Sequence, residues 1–266
     1  MYIDTHTHIT WGIDDGIQTL DECLDALNQC KEDGIERVIA TPHFIPGRHN
    51  KTTVSKMVKR MIDVQKLFNE HGVKYYPGSE VFLNRDFLDM IDNKLFFTLA
   101  NSRYLLCEFN VRENIGSTSR VEDRLYELCI RDYVPLVAHV ERYFHEGIDL
   151  DRVKNWIDMG CKIQVNRTSI LGLQGKVVQK NALSLLESGM VHIVATDTHR
   201  ITGSRIAKLS DVYEFIEEQF GEQNARILTY ENPLHIIEDE DLDDMIKIER
   251  KKHLFFLEGI DKHEES

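Results

Sequence analysis

The sequence predicts a parallel α/β fold, and three observations carry that expectation. Short apolar or β-branched runs recur along the 266 residues, segments of helical period separate them, and glycines fall where helices should stop before the next strand. A hydrophobic content of 42% suits one large domain over residues 1–266 better than two small ones.

The first run is Tyr2 to Thr5. Thr19 to Asp33 follows with Leu20, Leu24 and Leu27 on one helical face, Thr19 and Glu22 forming a capping-box signature and Gly34 marking the stop. Arg37 to Thr41 is the second strand. Val54 to Phe68 sets Met57, Met61, Val64 and Phe68 at helical spacing and stops at Gly72. Val73 to Tyr76 and Tyr104 to Cys107 are the third and fourth strands, and Val121 to Cys129 is a helix facing inward through Val121, Leu125 and Leu128. Val134 to Ala138, Lys162 to Val165 and His192 to Thr196 complete seven strands, the last two introduced by Gly160 and Gly189. No internal repeat or linker interrupts the series. Beyond Asn232-Pro233 the character changes: Glu238 to Asp244 is nearly all acidic, and Lys251, Lys252, Leu254 and Phe255 predict a packed amphipathic helix with a charged tail, from about residue 238.

Charge and composition exclude several classes. A net charge of −13 argues against nucleic acid as a partner, because such binders cluster Lys and Arg on phosphates. No apolar run approaches the ~18–20 residues of a membrane span, and the start lacks a secretory pattern, so no membrane insertion and a cytoplasmic location are expected. Cys23, Cys30, Cys107, Cys129 and Cys161 form no C-x-x-C pair and are expected to be reduced and mostly buried.

Chemistry gathers where the strands end. His6 and His8 close strand one with Asp14 just beyond, His43 closes strand two, Glu80 three, Glu108 four, His139 five, and Asp197 and His199 seven. In parallel α/β barrels the loops after the strands form the active face, so these residues converge. Five histidines and four carboxylates exceed what one tetrahedral ion takes, which suggests two or three ions; imidazole and carboxylate without thiolate suit Mn²⁺, Fe²⁺ or Zn²⁺. A histidine closing a strand is more often a satisfied hydrogen-bonder than a ligand, but His6/His8 and Asp197/His199 are each two apart on extended chain and face one side. Asp15, Asp4 and His49 are expected to be a turn former, a hydrogen-bond partner behind the ligands and a solvated surface residue. Lys51, Lys56, Lys59, Arg60 and Lys66 fit a solvated helix face better than a guide for phosphopeptides. Cys161 and Arg167 have the C-x5-R spacing of a thiolate phosphate loop, yet Lys162 to Asn166 alternates like a strand and lacks the glycines that such a loop needs.

The series Asp4-Thr5-His6-Thr7-His8, Thr41-Pro42-His43, Gly78-Ser79-Glu80, Ala138-His139-Val140-Glu141-Arg142 and Thr196-Asp197-Thr198-His199 resembles the polymerase and histidinol phosphatase (PHP) superfamily. With Gly12-Ile13-Asp14-Asp15-Gly16 and Asn232-Pro233, it is similar more narrowly to the metal-dependent tyrosine-protein phosphatases of bacterial capsule and exopolysaccharide operons, the CpsB/CapC family. The resemblance implies a distorted seven-stranded (β/α)7 TIM-like barrel around three divalent ions, Mn²⁺ foremost, with Fe²⁺ and Zn²⁺ as alternatives. It implies that His6, His8, Glu80 and Asp197 hold the first ion, Glu80, Glu108 and His139 the second, and Asp14, His43 and His199 the third. Arg142 and Arg205 match arginines that face the substrate phosphate.

The expected reaction is hydrolysis of phosphotyrosine, with an ion-bridging hydroxide attacking phosphorus while the metals, Arg142 and Arg205 neutralise the equatorial oxygens. A phenolate leaving group, conjugate-acid pKa about 10, needs little acid help; His199 is the candidate for what is needed. The implied partner is a phosphotyrosine protein, the tail of a cognate autophosphorylating tyrosine kinase. Two alternatives stay open: a small-molecule phosphoesterase such as histidinol phosphatase, and a non-catalytic, metal-binding regulator of a kinase.

Overall fold

The computed structural model describes residues 1–116 and 120–246, so the helix expected around Lys251 to Phe255 lies outside the described residues. β1 (Tyr2–Thr7) leads through the loop of residues 8–19 into α1 (Leu20–Asp33). Thr19 and Glu22 form the expected reciprocal cap, and Gly34 ends α1 in the left-handed conformation at φ 83°. The buried face of α1 differs in phase from the leucine pattern. Cys23, Ala26, Leu27 and Cys30 are buried at spacings 0, 3, 4 and 7, whereas Leu20 is 45% exposed. Small cysteine and alanine side chains, not the leucines alone, make the seam against the sheet.

There follow β2 (Ile35–Ala40), β3 (His43–Phe44), α2 (Lys51–Glu70), β4 (Lys74–Pro77), β5 (Glu80–Phe82) and α3 (Phe87–Asp92). Next come β6 (Tyr104–Glu108), α4 (Val121–Cys129), β7 (Val134–Val137), α5 (Leu150–Asp158), β8 (Lys162–Asn166) and α6 (Arg167–Ile170). α7 (Lys176–Glu187), β9 (Ile193–Ala195), α8 (Ser210–Phe220), α9 (Glu222–Arg226) and α10 (Asn232–Glu238) end the described chain.

Every strand pair is parallel, in two runs ordered β1-β2-β4 and β3-β5-β6-β7-β8-β9. The seven expected strands are all present, and β3 and β5 are added because two strands break and resume. Pro42 has no N–H for the ladder, but its carbonyl accepts from Glu80 N at 3.0 Å, so pairing restarts beyond it. At Gly78 a Cβ would stand 2.9 Å from Ile39 Cγ2 and 3.0 Å from Leu99 Cδ2, so the second break needs a residue without a side chain. At the far edge the sheet curls back on its start: Asp197 N donates to His6 O at 2.9 Å, His8 N to Thr198 O at 2.8 Å, and Thr7 bridges Thr198 in parallel.

Both faces of this curled sheet are apolar, as parallel sheets covered on both sides require. Val38, Leu105, Val137 and Val194 join the larger cluster beneath the helices; their neighbours Ile39, Leu106, Leu136 and Ile193 join an inner cluster closed by Leu99, Ile236 and Leu242. The acidic stretch after α10 is tied under the inner cluster by Asn232, whose Nδ2 donates to Asp243 O and whose Oδ1 accepts from Asp243 N.

His192, buried just before β9, accepts from Ile163 N at 3.2 Å through Nδ1. Burial, with Lys162 nearby, lowers its pKa to about 3. The folded chain therefore refuses a proton that the unfolded chain binds below pH ~6.5, and stability falls as pH falls through that window toward the folded value. Between pH 6.5 and 5 the loss is about 2 kcal/mol at 1.36 kcal/mol per unit. A His192→Asn variant, which keeps an acceptor for Ile163, should show a flatter unfolding free energy across that interval in urea titrations; parallel curves for the two proteins would remove this role.

Candidate metal centre

The expected ligands meet at the C-terminal ends of the strands. Nε2 of His6 and Nε2 of His8 stand 3.2 Å apart, each 3.3 Å from Glu80 Oε2 and 3.5 and 3.6 Å, respectively, from Asp197 Oδ1. These separations match the roughly 3.4 Å edge of a tetrahedron whose metal–ligand bonds are ~2.1 Å. His139 Nε2 lies 3.0 Å from Glu80 Oε1 and 3.7 Å from Glu108 Oε2. His43 faces both sides of the cluster: Nδ1 is 3.0 Å from Glu80 Oε2 and from Glu108 Oε1, and Nε2 is 3.3 Å from Asp15 Oδ1. His199 Nε2 is 3.5 Å from the same Asp15 oxygen.

Four overlapping groups of ligand atoms, each within 4.8 Å, result: His8/Asp15/His43/His199, His6/Glu80/His139, His6/His8/Asp197 and His43/Glu80/Glu108. Glu80 Oε2 and His43 Nδ1 are buried and close, yet neither has a hydrogen-bond partner among the described residues. Buried acceptors converging without donors are what a divalent cation stabilises, and the nitrogen–oxygen donor set fits such ions.

The backbone is bent to aim these groups. His139 at φ 36° and Asp197 at φ 54° occupy the left-handed region, at a cost of about 1–3 kcal/mol each for residues with side chains. Gly16 allows the loop after β1 to press on the cluster, since a Cβ there would lie 2.3 Å from His8 O.

β8 contributes to none of the candidate groups among the described residues, and its amides brace them. Gln164 Oε1 accepts from His139 N at 3.1 Å, so it is the acceptor for His6 Nδ1 at 3.0 Å, and His6 presents Nε2 to the cluster. Gln164 Nε2 donates to Asn166 Oδ1 at 2.8 Å, and Asn166 Nδ2 donates to Asp197 Oδ2 at 2.8 Å.

A model of the family described as capsular polysaccharide synthesis, CpsB/CapC, matches residues 2–238. The chain belongs to the CpsB/CapC family. Tyrosine-protein phosphatase CpsB of Streptococcus pneumoniae is 30% identical over 245 residues, covering 90% of this chain and 99% of its own length. The putative tyrosine-protein phosphatase CapC of Staphylococcus aureus is 30% identical over 205 residues, 75% of this chain and 78% of its own. A chain from the crystal structures of YwqE from Bacillus subtilis and CpsB from Streptococcus pneumoniae, described as unique metal-dependent tyrosine phosphatases, superposes with a TM-score of 0.76 at 23% identity, covering 91% of this chain and 96% of that one. The β-aspartyl dipeptidase of Fervidobacterium islandicum superposes with a TM-score of 0.57 at 12% identity, over 88% of this chain and 72% of its own. Both structural likenesses are of fold.

In this CpsB/CapC chain the Asp-Asp-Gly stretch is disposed differently from the sequence reading. Asp14 is in none of the groups of ligand atoms: Oδ2 is 2.8 Å from His8 Nδ1 and accepts from His43 N at 3.0 Å, while Oδ1 accepts from Gly16 N at 2.9 Å. Asp15, expected to be only a turn former, points its carboxylate at His43 and His199. Adjacent aspartates in a turn look alike in sequence; here the Asp14 side chain is buried, whereas that of Asp15 is two-thirds exposed at the mouth of the cluster. Asp4 is buried and accepts from Thr196 N at 3.1 Å and from the Thr196 hydroxyl. His49 is not a solvated residue; it is half-buried, accepts from Ile45 N at 3.2 Å and packs edge-on against Phe44.

Arg142 and Arg205 both reach Asp197. Arg205 Nη2 is 2.7 Å from Asp197 Oδ1 and Arg142 Nη1 is 3.6 Å from Asp197 Oδ2. Arg200, which no sequence signal marked, straps the two loops together by donating to Asp15 O at 2.6 Å and His199 O at 2.7 Å. Of the basic residues on α2, Lys51, Lys56, Lys59 and Lys66 are exposed, whereas Arg60 lies over the Trp11 ring at 4.5 Å. Arg167 pairs with Asp211, with Nε 2.7 Å from Oδ1, and Cys161 is buried, so the C-x5-R spacing forms no thiolate loop.

The cluster's charges set its protonation. Burial alone would neutralise His6, but Glu80 and Asp197 outweigh it and raise its pKa to about 9. Burial lowers His139 to about 4, and burial with the charge of Glu80 raises Glu108 to about 7. Burial opposes ionisation of Asp197 too, but His6 and Arg205 hold its carboxyl well below the usual range.

Proposed function

We propose that this chain is a metal-dependent phosphatase that hydrolyses phosphotyrosine on protein. The observation that carries the reading is the convergence of five histidines and four carboxylates at the strand ends of a chain 30% identical, over 90% of its length, to a tyrosine-protein phosphatase. The sheet, with its two broken strands each counted once, is read as a (β/α)7 barrel forming one domain. Three ions are assigned, Mn²⁺ foremost: one to His6, His8, Glu80 and Asp197, one to Glu80, Glu108 and His139, and one to Asp15, His43 and His199. When bound, such ions neutralise phosphoryl charge and lower the pKa of water so that hydroxide is available as the nucleophile.

The chain's own residues orient the ester. Arg142 and Arg205, 23% and 30% exposed at the rim, turn their remaining donors to the phosphoryl oxygens, where a guanidinium fork fits the geometry. His199 Nδ1 lies 3.0 Å from Asp197 O, which holds the proton there and leaves Nε2 for the third ion. No helix among the described residues is long and apolar enough to cross a membrane; a cytoplasmic location and the tail of a tyrosine kinase as substrate complete the reading.

Metal-reconstituted protein is tested against phosphotyrosyl peptide, phosphoseryl peptide and histidinol phosphate, with His139→Ala as control. Preferred turnover of phosphotyrosine, lost in the control, is expected. Exclusive turnover of histidinol phosphate would move the function to small phosphate esters, and equal rates for control and wild type would end the catalytic reading.

A further inference from the structure

A cavity of about 730 Å³ opens beside the cluster, with His43, Glu108 and Asp15 on its floor. Its size lies in the ~300–1,000 Å³ range that buries a drug-sized ligand, so a phosphotyrosyl side chain leaves room for a neighbouring residue. The walls include Ile13, Ile45 and Phe82, each half-buried, which suit an aryl ring.

The rim is of another character. Arg48 and Arg112 line it, both are exposed, and neither guanidinium makes a hydrogen bond or ion pair with any described residue. An adjoining cavity of about 660 Å³, sharing Phe82, adds Arg85, Arg120 and Arg124. Those three are engaged: Arg85 with Asp86 at 3.7 Å, Arg120 with Asp123 at 4.0 Å, and Arg124 with the Leu83 carbonyl. In a chain of 45 acidic and 32 basic residues, two free guanidiniums at the mouth of an aryl-walled cavity reverse the prevailing charge. Arg142 and Arg205 lie on the Asp197 side, so the two pairs of arginines face different parts of a substrate.

We propose that Arg48 and Arg112 bind a carboxylate adjacent to the phosphotyrosine, so that the protein selects phosphotyrosyl peptides flanked by Asp or Glu. The inference rests on the phosphatase reading and names its substrate class. A carboxylate accepts two parallel N–H bonds from a guanidinium fork, and complementary rim charge raises encounter and retention of an anionic chain.

The test compares kcat/KM for two phosphotyrosyl peptides that differ only in Glu or Ala beside the phosphotyrosine. Wild type is expected to favour the Glu peptide by about tenfold, through KM. The ratio should approach one in Arg48→Ser/Arg112→Ser and invert in Arg48→Glu/Arg112→Glu. A wild-type ratio near one, or a ratio that survives both double variants, overturns the proposal. Fluorescence anisotropy of the same labelled peptides separates the two readings: absent turnover would end the phosphatase assignment, while Arg48- and Arg112-dependent preference in binding would still uphold the arginines' role and its absence would remove it.

Discussion

Glu80→Gln is expected to abolish turnover and to strip bound metal. Glu80 belongs to two of the four groups of ligand atoms among the described residues: Oε2 lies 3.3 Å from both His6 and His8 and 3.0 Å from His43, and Oε1 lies 3.0 Å from His139. Burial opposes its charge, but His6 and His43 hold its pKa well below the ordinary glutamate value, so it is an anion in the fold. Glutamine keeps the shape, yet it replaces one oxygen by an NH₂ that cannot bind a cation and removes the negative charge that two ions would share. Loss of partners merely behind metal ligands costs about 10–100-fold in affinity or activity, so loss of this shared ligand should exceed about 100-fold in kcat/KM. Metal content by elemental analysis, beside an unfolding curve, checks it. Wild-type metal content with turnover within tenfold of wild type would show that Glu80 does not join the ions.

How far such residues can be found from sequence depends on whether backbone period alone places them. His6 and His8 alternate on β1 and end it, so their shared face follows from the strand. The seven strands stood out because each is a short apolar run, and both faces of a covered parallel sheet want apolar residues. β3 and β5 did not, because strands of two and three residues just beyond Pro42 and Gly78 have no period to detect. Gln164 and Asn166 escaped for a different reason: amides inside a strand carry no ligand chemistry, and their role appears only when Gln164 meets His6 and Asn166 meets Asp197. Arg200 acts through a carbonyl in the loop after β1, 185 residues away, which no local pattern encodes. Leucine spacing alone marks Leu20, Leu24 and Leu27 as one face of α1, whereas the buried seam joins Leu27 to Cys23, Ala26 and Cys30.

The Asp14/Asp15 pair is where sequence and structure part most sharply, and its consequence is large. Asp15→Asn is expected to lower kcat/KM by about 100-fold and to reduce the metal bound by one ion per chain. Its Oδ1 faces both His43 Nε2 and His199 Nε2, and hydrogen bonds to His199 and His43 hold its pKa far below the usual carboxylate range. Asp14→Asn should act differently. The Asp14 carboxylate orients the His8 ring through Nδ1, so that His8 turns Nε2 toward Glu80 and Asp197. Removing that charge weakens the first ion's affinity by about tenfold, the lower end for partners of metal-binding histidines, without removing a ligand atom. Titration calorimetry with Mn²⁺ on both variants separates them: one fewer ion for Asp15→Asn, and an unchanged number with weaker binding for Asp14→Asn. The reverse pattern would return the ligand's place to Asp14, and the loop would then have to turn near Gly16, where there is no room for a Cβ beside His8 O.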